Sequence, residues 1–366
     1  MLLKLTILPG DGIGPEVTEQ AVLVLQAVAE AFGHQLQLQE KKIGGAALAI
    51  AEDPLPPDTI QACLASSAVL MGAVGNPAFD HYPNHLRPEA GLLRLRRELG
   101  AYANLRPAIC FPALEDSSPL RADLVRGTDI MIVRELLGGL YFGEPRSIAG
   151  VAGSRIATNT MTYGEQAIER IARVAFDLAM KRRKKVLSVD KANVLECSRL
   201  WREVVIRCAK DYPSVTLSHM YVDSAAMSLV QRPKDLDVLL TENMFGDILS
   251  DQAGGVVGSL GLLASASIGG PVGLYEPVHG SAPDIAGKGI ANPLGAILTV
   301  ALMLRHSFEL EREAASIECA VSTVLNQGSR TADLARDGQR SISTEEMGRR
   351  VLETVRESVA FSQKPR

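Results

Sequence analysis

Asp247 and Asp251 stand four residues apart in the stretch TENMFGDILSD (241–251), directly after the apolar stretch 236–240. On a helix the two carboxylates share one face, where like charges at that spacing cost about 0.2–0.5 kcal/mol if nothing lies between them. A hard divalent cation such as Mg2+ or Mn2+ would remove that cost, because it takes oxygen ligands from one or two carboxylates together with a substrate. The alternative is that Asp247 caps a helix and Asp251 is solvated. Three other segments bear on the choice. Asp129 to Arg134 reads as a short strand ending in a cation, Val186 to Val189 is followed by Lys191, and Val215 to Met220 is followed by Asp223. In open α/β sheets ligands bind beyond the carboxyl ends of strands, where Arg134, Lys191, Asp223, Asp247 and Asp251 are all expected. Asp223 could instead cap a helix over 224–231, and Lys191 could simply be exposed. Taken together, the strand ends point to a metal-dependent site for an anionic substrate.

A second constellation lies upstream. Glu89, Leu92, Leu93 and Arg96 have spacings of three, four and seven, so they fall on one helical face. Two leucines with one charge of each sign suit a ligand carrying a branched alkyl group and a carboxylate, the arginine gripping the carboxylate. Alternatively the leucines are core and Arg94, Arg96 and Arg97 are solvated. The loop Tyr275 to Gly287 is built of small residues with isolated polar side chains, which lets a backbone approach a flat ligand; His279, taken alone, reads as a hydrogen-bonding residue in a tight turn. Gly10 to Glu16 imitates a dinucleotide fingerprint, but Pro15 takes the place of the third glycine and no clear strand-ending acid follows about twenty residues on. It reads as a helix start with Pro15 in the first turn, though the backbone around Ile13 could touch a cofactor.

The elements that must hold these residues alternate between strand and helix, the pattern of an α/β protein. Strands are expected at 1–8, 68–73, 129–134, 186–189, 215–220 and 236–240, helices at 14–31, 164–180 and 293–304, and an irregular hairpin arm near 136–162. A length of 366 residues suggests two domains, and a hydrophobic share of 46% is ample for their cores. The formal charge of −4 gives no field for nucleic acid or an anionic membrane, and the basic run Lys181 to Lys185 complements the end of a helix. Residues 252–275 carry no charge, yet seven glycines and Pro271 argue for a buried helix and a loop rather than a membrane span. Five scattered cysteines without a CxxC pair, and an amino terminus lacking signal-peptide features, suggest a reducing, cytoplasmic setting.

Taken together, the motifs resemble the β-decarboxylating dehydrogenases, the isocitrate/isopropylmalate dehydrogenase family. The carriers are GDGIGPE (10–16), LLRLR (92–96), NLRP (104–107), the segments around Arg134 and Tyr141, SVDKANVL (188–195), TENMFGDILSD and HGSAPDIAGKGIANP (279–293). The likeness runs from Ile7 to about Leu304 and weakens beyond Phe308. It implies a two-domain α/β fold that is not a Rossmann fold. Its first domain, on the cofactor side, would comprise 1–101 and 258–366. An inserted second domain, 102–257, would carry the dimer interface, the arm and the metal and catalytic residues. A homodimer is implied, each site taking Lys191 and Asp223 from the partner copy.

The resemblance further implies that Arg96, Arg106 and Arg134 grip two malate carboxylates, that Asp223, Asp247 and Asp251 hold Mg2+ or Mn2+, and that Lys191 and Tyr141 move protons. Asp223 would also border the substrate. Glu89, Leu92 and Leu93 would select 3-isopropylmalate, since two leucines would desolvate the third carboxylate of isocitrate without a partner. NAD would lie against Ile13, Gly75, Asn76 and Glu89 at one end. At the other it would meet His279, Gly280, Ser281, Ala282, Pro283, Asp284, Ile285 and Asn292, with Asp284 suited to a free 2′-hydroxyl. Gln252, Ala264 and Leu137 depart from the family pattern without being proposed ligands. Rival readings are a relative acting on D-malate, tartrate, homoisocitrate or isocitrate, a non-catalytic ligand-binding subunit, or a phosphate- or nucleotide-binding module using Gly10 to Gly14.

Overall fold

The computed structural model describes residues 1–362, with side chains through 358. Among the described residues twelve strands form, β1 (Leu2–Gly10), β2 (Gln35–Glu40), β3 (Ala68–Ala73), β4 (Ala103–Ile109), β5 (Asp129–Glu135), β6 (Ser147–Ala149), β7 (Ile156–Thr158), β8 (Lys185–Asp190), β9 (Thr216–Tyr221), β10 (Val238–Thr241), β11 (Ala266–Ile268) and β12 (Gly273–Tyr275). Ten of them make one sheet in the order β2-β1-β3-β12-β11-β4-β5-β10-β8-β9. Most neighbours are parallel, while β11 is antiparallel to both β12 and β4, and β4 to β5. β3 and β10 are buried along their whole length, which is why they read as unbroken apolar runs: helices cover both faces of such a sheet.

The sheet order has a simple relation to the chain. Strands from 1–101 and 258–366 occupy one half and those from 102–257 the other, meeting where β11 pairs with β4. Glycines with left-handed φ angles stand at both crossings, Gly100 at 63° and Gly258 at 122°, and there a side chain would strain the backbone. The Gly14–Phe32 helix starts with proline in its first turn and stops at Gly33, whose φ of 74° ends it in the left-handed region. The apolar Leu294–Phe308 helix is buried along most of its length.

One expectation changes. The uncharged stretch 252–275 holds only the end of the Asn243–Val257 helix, followed by turns and the short strands β11 and β12. Those strands link the two halves of the sheet, which explains an apolar composition without a second helix. Among the described residues no helix is long and apolar enough to cross a membrane. The arm forms a hairpin whose regular part is β6 and β7, and all six of their residues are exposed.

Away from the site, His306 lies in the last turn of the Leu294–Phe308 helix. Burial, with the nearby charges of Arg305 and Lys181, lowers it from near 6.5 to about 4. The unfolded chain therefore gains this proton first as the pH falls, and stability falls between those two values. His306→Gln is expected to flatten that part of the curve of unfolding free energy against pH; an unchanged slope would show that His306 does not contribute.

Candidate active site

The ladder between β4 and β5 sets Asn104 opposite Arg134. Arg106, two residues from Asn104, shares its face of the sheet. Arg106 Nε donates to Asn104 Oδ1 at 2.6 Å and Nη1 to Ser250 Oγ at 2.6 Å. Asn104 Nδ2 in turn donates to Ser267 Oγ at 3.0 Å. Arg134, 1% exposed, reaches the first turn of the Asn243–Val257 helix, where Asn243 Oδ1 accepts its Nη2 at 2.7 Å. Arg96 arrives from the Pro88–Glu98 helix and donates to Glu276 Oε1 at 2.7 Å, its Nε buried without a partner. The solvated alternative therefore fails for Arg96, and Arg94 is half-buried and paired with Asp53, while Arg97 stays exposed over the Phe142 ring.

Asp247 is the counter-charge of this cluster. Its Oδ1 accepts Arg134 Nη1, and Arg106 Nη1 at 3.2 Å, while Oδ2 accepts the Tyr141 hydroxyl at 2.6 Å. Burial works against the charge on Asp247, but Arg134, Arg106, the Tyr141 hydroxyl and Arg96 outweigh it and hold the carboxyl below the ordinary aspartate range. Burial, opposed in part by Arg106 and helped by Asp247, raises Asp251, whose Oδ1 lies 3.5 Å from Arg106 Nη1. Burial and the Asp247 contact push the Tyr141 hydroxyl up to about 12, so it is a protonated donor at neutral pH. Burial, with Arg106 alongside, lowers Arg134 to about 9, which leaves it charged at neutral pH.

The capping alternative for Asp247 is overturned. Glu242 caps this helix, its carboxylate accepting the N–H of Phe245 at 2.7 Å and of Met244 at 3.1 Å, and Asp247 sits past the first turn. Asp223 likewise lies inside the first turn of the Val222–Gln231 helix rather than at its cap, which is Tyr221.

A cleft of about 270 Å³ brings together Glu89, Leu92, Leu93, the three arginines, Tyr141 and Asp247, with His279 and Gly280 on its wall. Lys191 and Asp223 do not line it. They pair with each other, Lys191 Nζ to Asp223 Oδ1 at 2.5 Å, and both are solvent-accessible. Among the described residues no three His, Cys, Asp or Glu side chains of one chain are gathered to hold a metal. Asp247 and Asp251 offer an oxygen-only donor set that fits a hard cation, and a single chain supplies two of the three carboxylates expected. A larger groove of about 630 Å³ beside the Gly14–Phe32 helix holds none of the expected site residues.

The glycine-rich turn proves to be a clasp. Asp11 accepts N–H groups from Gly45 at 2.9 Å, Ala46 at 2.8 Å and Gly75 at 2.9 Å. Ile13 N–H is taken up by Ser281 O at 2.8 Å. A side chain on Gly12 would collide with Ser281. This turn thus ties the Gly75 and Ser281 loops together. Asn76 accepts Ala78 N–H, and Asn292 is engaged by Leu294 and Asp333. Glu89 and Asp284 are exposed, as are Gly280 and Pro283 beside them, while Ala282 and Ile285 are half-buried. His279 Nε2 is buried with no partner in the chain, which fits a ligand group arriving at that wall. Sequence reasoning missed Glu276, Asn104, Ser250 and Asp333, whose partners lie from two to 180 residues away and leave no periodic signal.

A family model described as isocitrate/isopropylmalate dehydrogenase matches residues 4–351, well past the limit expected near Leu304. The chain is 54% identical over 361 residues to the 3-isopropylmalate dehydrogenase of Halalkalibacterium halodurans, covering 98% of this chain and 99% of that one. It is 53% identical over 352 residues to the 3-isopropylmalate dehydrogenase of Aquifex aeolicus, covering 96% and 97%. The crystal structure of isocitrate dehydrogenase from Methylococcus capsulatus superposes with a TM-score of 0.86 at 39% identity, covering 97% of this chain and 99% of that one. With the mixed sheet and its cleft, these matches establish that the chain belongs to the isocitrate/isopropylmalate dehydrogenase family.

Proposed function

We propose that the chain catalyses the NAD-dependent oxidative decarboxylation of 3-isopropylmalate to 4-methyl-2-oxopentanoate and CO2, a step of leucine biosynthesis. The observation that carries this reading is the convergence of three buried arginines and Tyr141 on one cleft floored by Asp247 and walled by Leu92 and Leu93. Three guanidiniums suit two carboxylates, and the two half-buried leucines suit an isopropyl group better than a third carboxylate.

Arg96, Arg106 and Arg134 would hold the carboxylates, and Asp247 and Asp251, with Asp223 of a partner copy, would hold Mg2+ or Mn2+. Such an ion, when bound, acts as a Lewis acid that polarises a substrate oxygen. NAD+, when bound, would supply the acceptor for the C2 hydride, and Lys191 of the partner copy would take the C2 hydroxyl proton, so that the oxidation yields a 2-oxo acid with a carboxylate on C3. That carboxylate leaves as CO2, and Tyr141, a protonated hydroxyl against Asp247, delivers the proton to C3. The loops at Gly75 and His279 to Ile285 would receive the dinucleotide, with Asp284 at the adenosine ribose.

The shared site requires a homodimer. Exposed apolar side chains support one: Ile148, Val151 and Ile156 on the arm, Met227 on the helix that carries Asp223, and Ile248 beside Asp247. The division into 1–101 with 258–366 and 102–257 belongs to the same proposal. So does a cytoplasmic setting, supported by five free cysteines.

The test is to measure NADH and CO2 together from 3-isopropylmalate with Mg2+ or Mn2+. Equal amounts of both support the reaction; NADH without CO2 would reduce it to a plain dehydrogenation, and neither product would favour a ligand-binding subunit. Leu93→Ser is expected to lower kcat/KM for 3-isopropylmalate by roughly 10–200-fold, the span for losing a few methylene contacts, with little effect on D-malate. Equal losses on both acids would remove Leu93 from substrate selection.

A further inference from the structure

Asn243 is 1% exposed and has no function assigned by the reading above, yet its amide lies between two parts of the cleft. Its Oδ1 accepts Nε of Arg134 at 3.1 Å and Nη2 at 2.7 Å. Its Nδ2 donates to Leu136 O at 3.0 Å and Gly138 O at 3.2 Å. An amide offers two acceptor and two donor positions, and all four are engaged. Only one orientation is possible, since arginine supplies donors on one side and carbonyls supply acceptors on the other. The backbone is fixed as well: Asn243 N–H donates to the Tyr163 hydroxyl at 3.0 Å, and that hydroxyl donates to Glu242 Oε2 at 3.1 Å. Tyr163 and Glu242 are both buried.

The two sides of the amide serve different groups. Arg134 belongs to the set expected to grip a substrate carboxylate. Leu136 and Gly138 lead directly into the Gly139–Tyr141 turn, which presents the Tyr141 hydroxyl to Asp247. Arg134 and Tyr141 bond separate oxygens of the same Asp247 carboxylate, Arg134 at Oδ1 and the Tyr141 hydroxyl at Oδ2.

We infer that Asn243 is a positioning residue that locks the carboxylate-gripping Arg134 and the turn bearing Tyr141 into one geometry. This rests on the reading of the cleft proposed above. It separates binding from proton delivery in a way that a merely structural residue would not. Asn243→Asp retains an oxygen for Arg134 but sets an acceptor against the Leu136 and Gly138 carbonyls, so the arginine half survives and the tyrosine half does not.

The experiment is steady-state kinetics on 3-isopropylmalate for wild type, Asn243→Asp and Asn243→Ala, with thermal melting of each as a check on folding. For Asn243→Asp, KM is expected to stay near wild type while kcat falls about tenfold or more, and Asn243→Ala is expected to raise KM about tenfold as well, the scale of losing hydrogen bonds to a charged group. In a Tyr141→Phe background, Asn243→Asp should cost little further kcat, because contacts acting through one group are not additive. An unchanged kcat in Asn243→Asp, equal changes of KM and kcat in both variants, or full additivity with Tyr141→Phe would overturn the inference. If Asn243→Ala does not fold, the Asn243→Asp split and its combination with Tyr141→Phe decide the matter. Failure of the wild-type enzyme to turn over 3-isopropylmalate would instead remove the underlying reading, and the inference with it.

Discussion

Lys191→Met is expected to lower turnover by roughly 10²–10⁴, the span for losing a general base, while NAD binding is retained. Methionine keeps an unbranched stem of similar length, with a thioether in it, and removes the ammonium. The fold should hardly notice. Lys191 donates to Asp223 at 2.5 Å, but the Asp223 side chain is 63% exposed, and solvent-exposed pairs contribute little to stability. A large loss of rate in a protein that melts normally therefore reports chemistry. Near-normal turnover would take Lys191 out of the proton-transfer step. The same variant tests the shared site, because each Lys191 is expected to serve its partner. Mixed with Asp251→Asn protein, it should form heterodimers in which one site has every group, and random assortment would restore about a quarter of wild-type activity. Verified heterodimers without recovery would contradict a site built from two chains.

The second large effect is expected at Asp247. Asp247→Asn keeps the side-chain shape but removes the charge facing Arg134 and Arg106, a proposed ligand for the cation and part of the acceptor for Tyr141. Turnover should fall roughly 10²–10³, as for other losses of a charge-stabilising group in an active site, and the metal needed for half-activity should rise. Stability supplies an independent readout. Because the folded-state pKa of Asp247 is depressed, its stabilising contribution is fully present above the ordinary aspartate value. It is lost as the pH falls through the depressed one. In metal-free protein, the gap in melting temperature between wild type and Asp247→Asn should be constant from neutral pH to near pH 4 and should close below it. A gap that closed between pH 7 and 5 would contradict the assigned pairing with the arginines.

The parts of this site legible from the chain were those governed by local rules. The run 68–73 is strand β3 because a sheet covered on both faces selects unbroken apolar residues. The Glu89, Leu92, Leu93 and Arg96 face was visible because helical spacing is a local property, and the cleft does gather those four side chains. What could not be read depends on distant approach. Nothing near Arg96 foretells Glu276, and nothing near Asp11 foretells that its carboxylate holds the Gly45 and Gly75 loops. The capping alternative fails for a related reason. Asp247 has the residue type for a cap, but the helix begins four residues earlier, where Glu242 folds its own carboxylate back onto the first turn. The resemblance was also drawn too short. The last segments, Glu311–Asn326 and Thr344–Ser362, pack on the Leu294–Phe308 and Gly14–Phe32 helices, and the family match takes in all of the first and the start of the second, although they carry no motif of chemistry-bearing residues.

The substrate claim is tested most directly by comparing kcat/KM for 3-isopropylmalate with those for isocitrate, homoisocitrate, D-malate and tartrate, by NADH formation with and without Mg2+ or Mn2+. The cleft as described predicts metal-dependent turnover that is fastest with 3-isopropylmalate. Faster turnover of isocitrate or of another acid would contradict the pocket assigned to Leu92 and Leu93, and turnover indifferent to the metal would contradict the role assigned to Asp247 and Asp251.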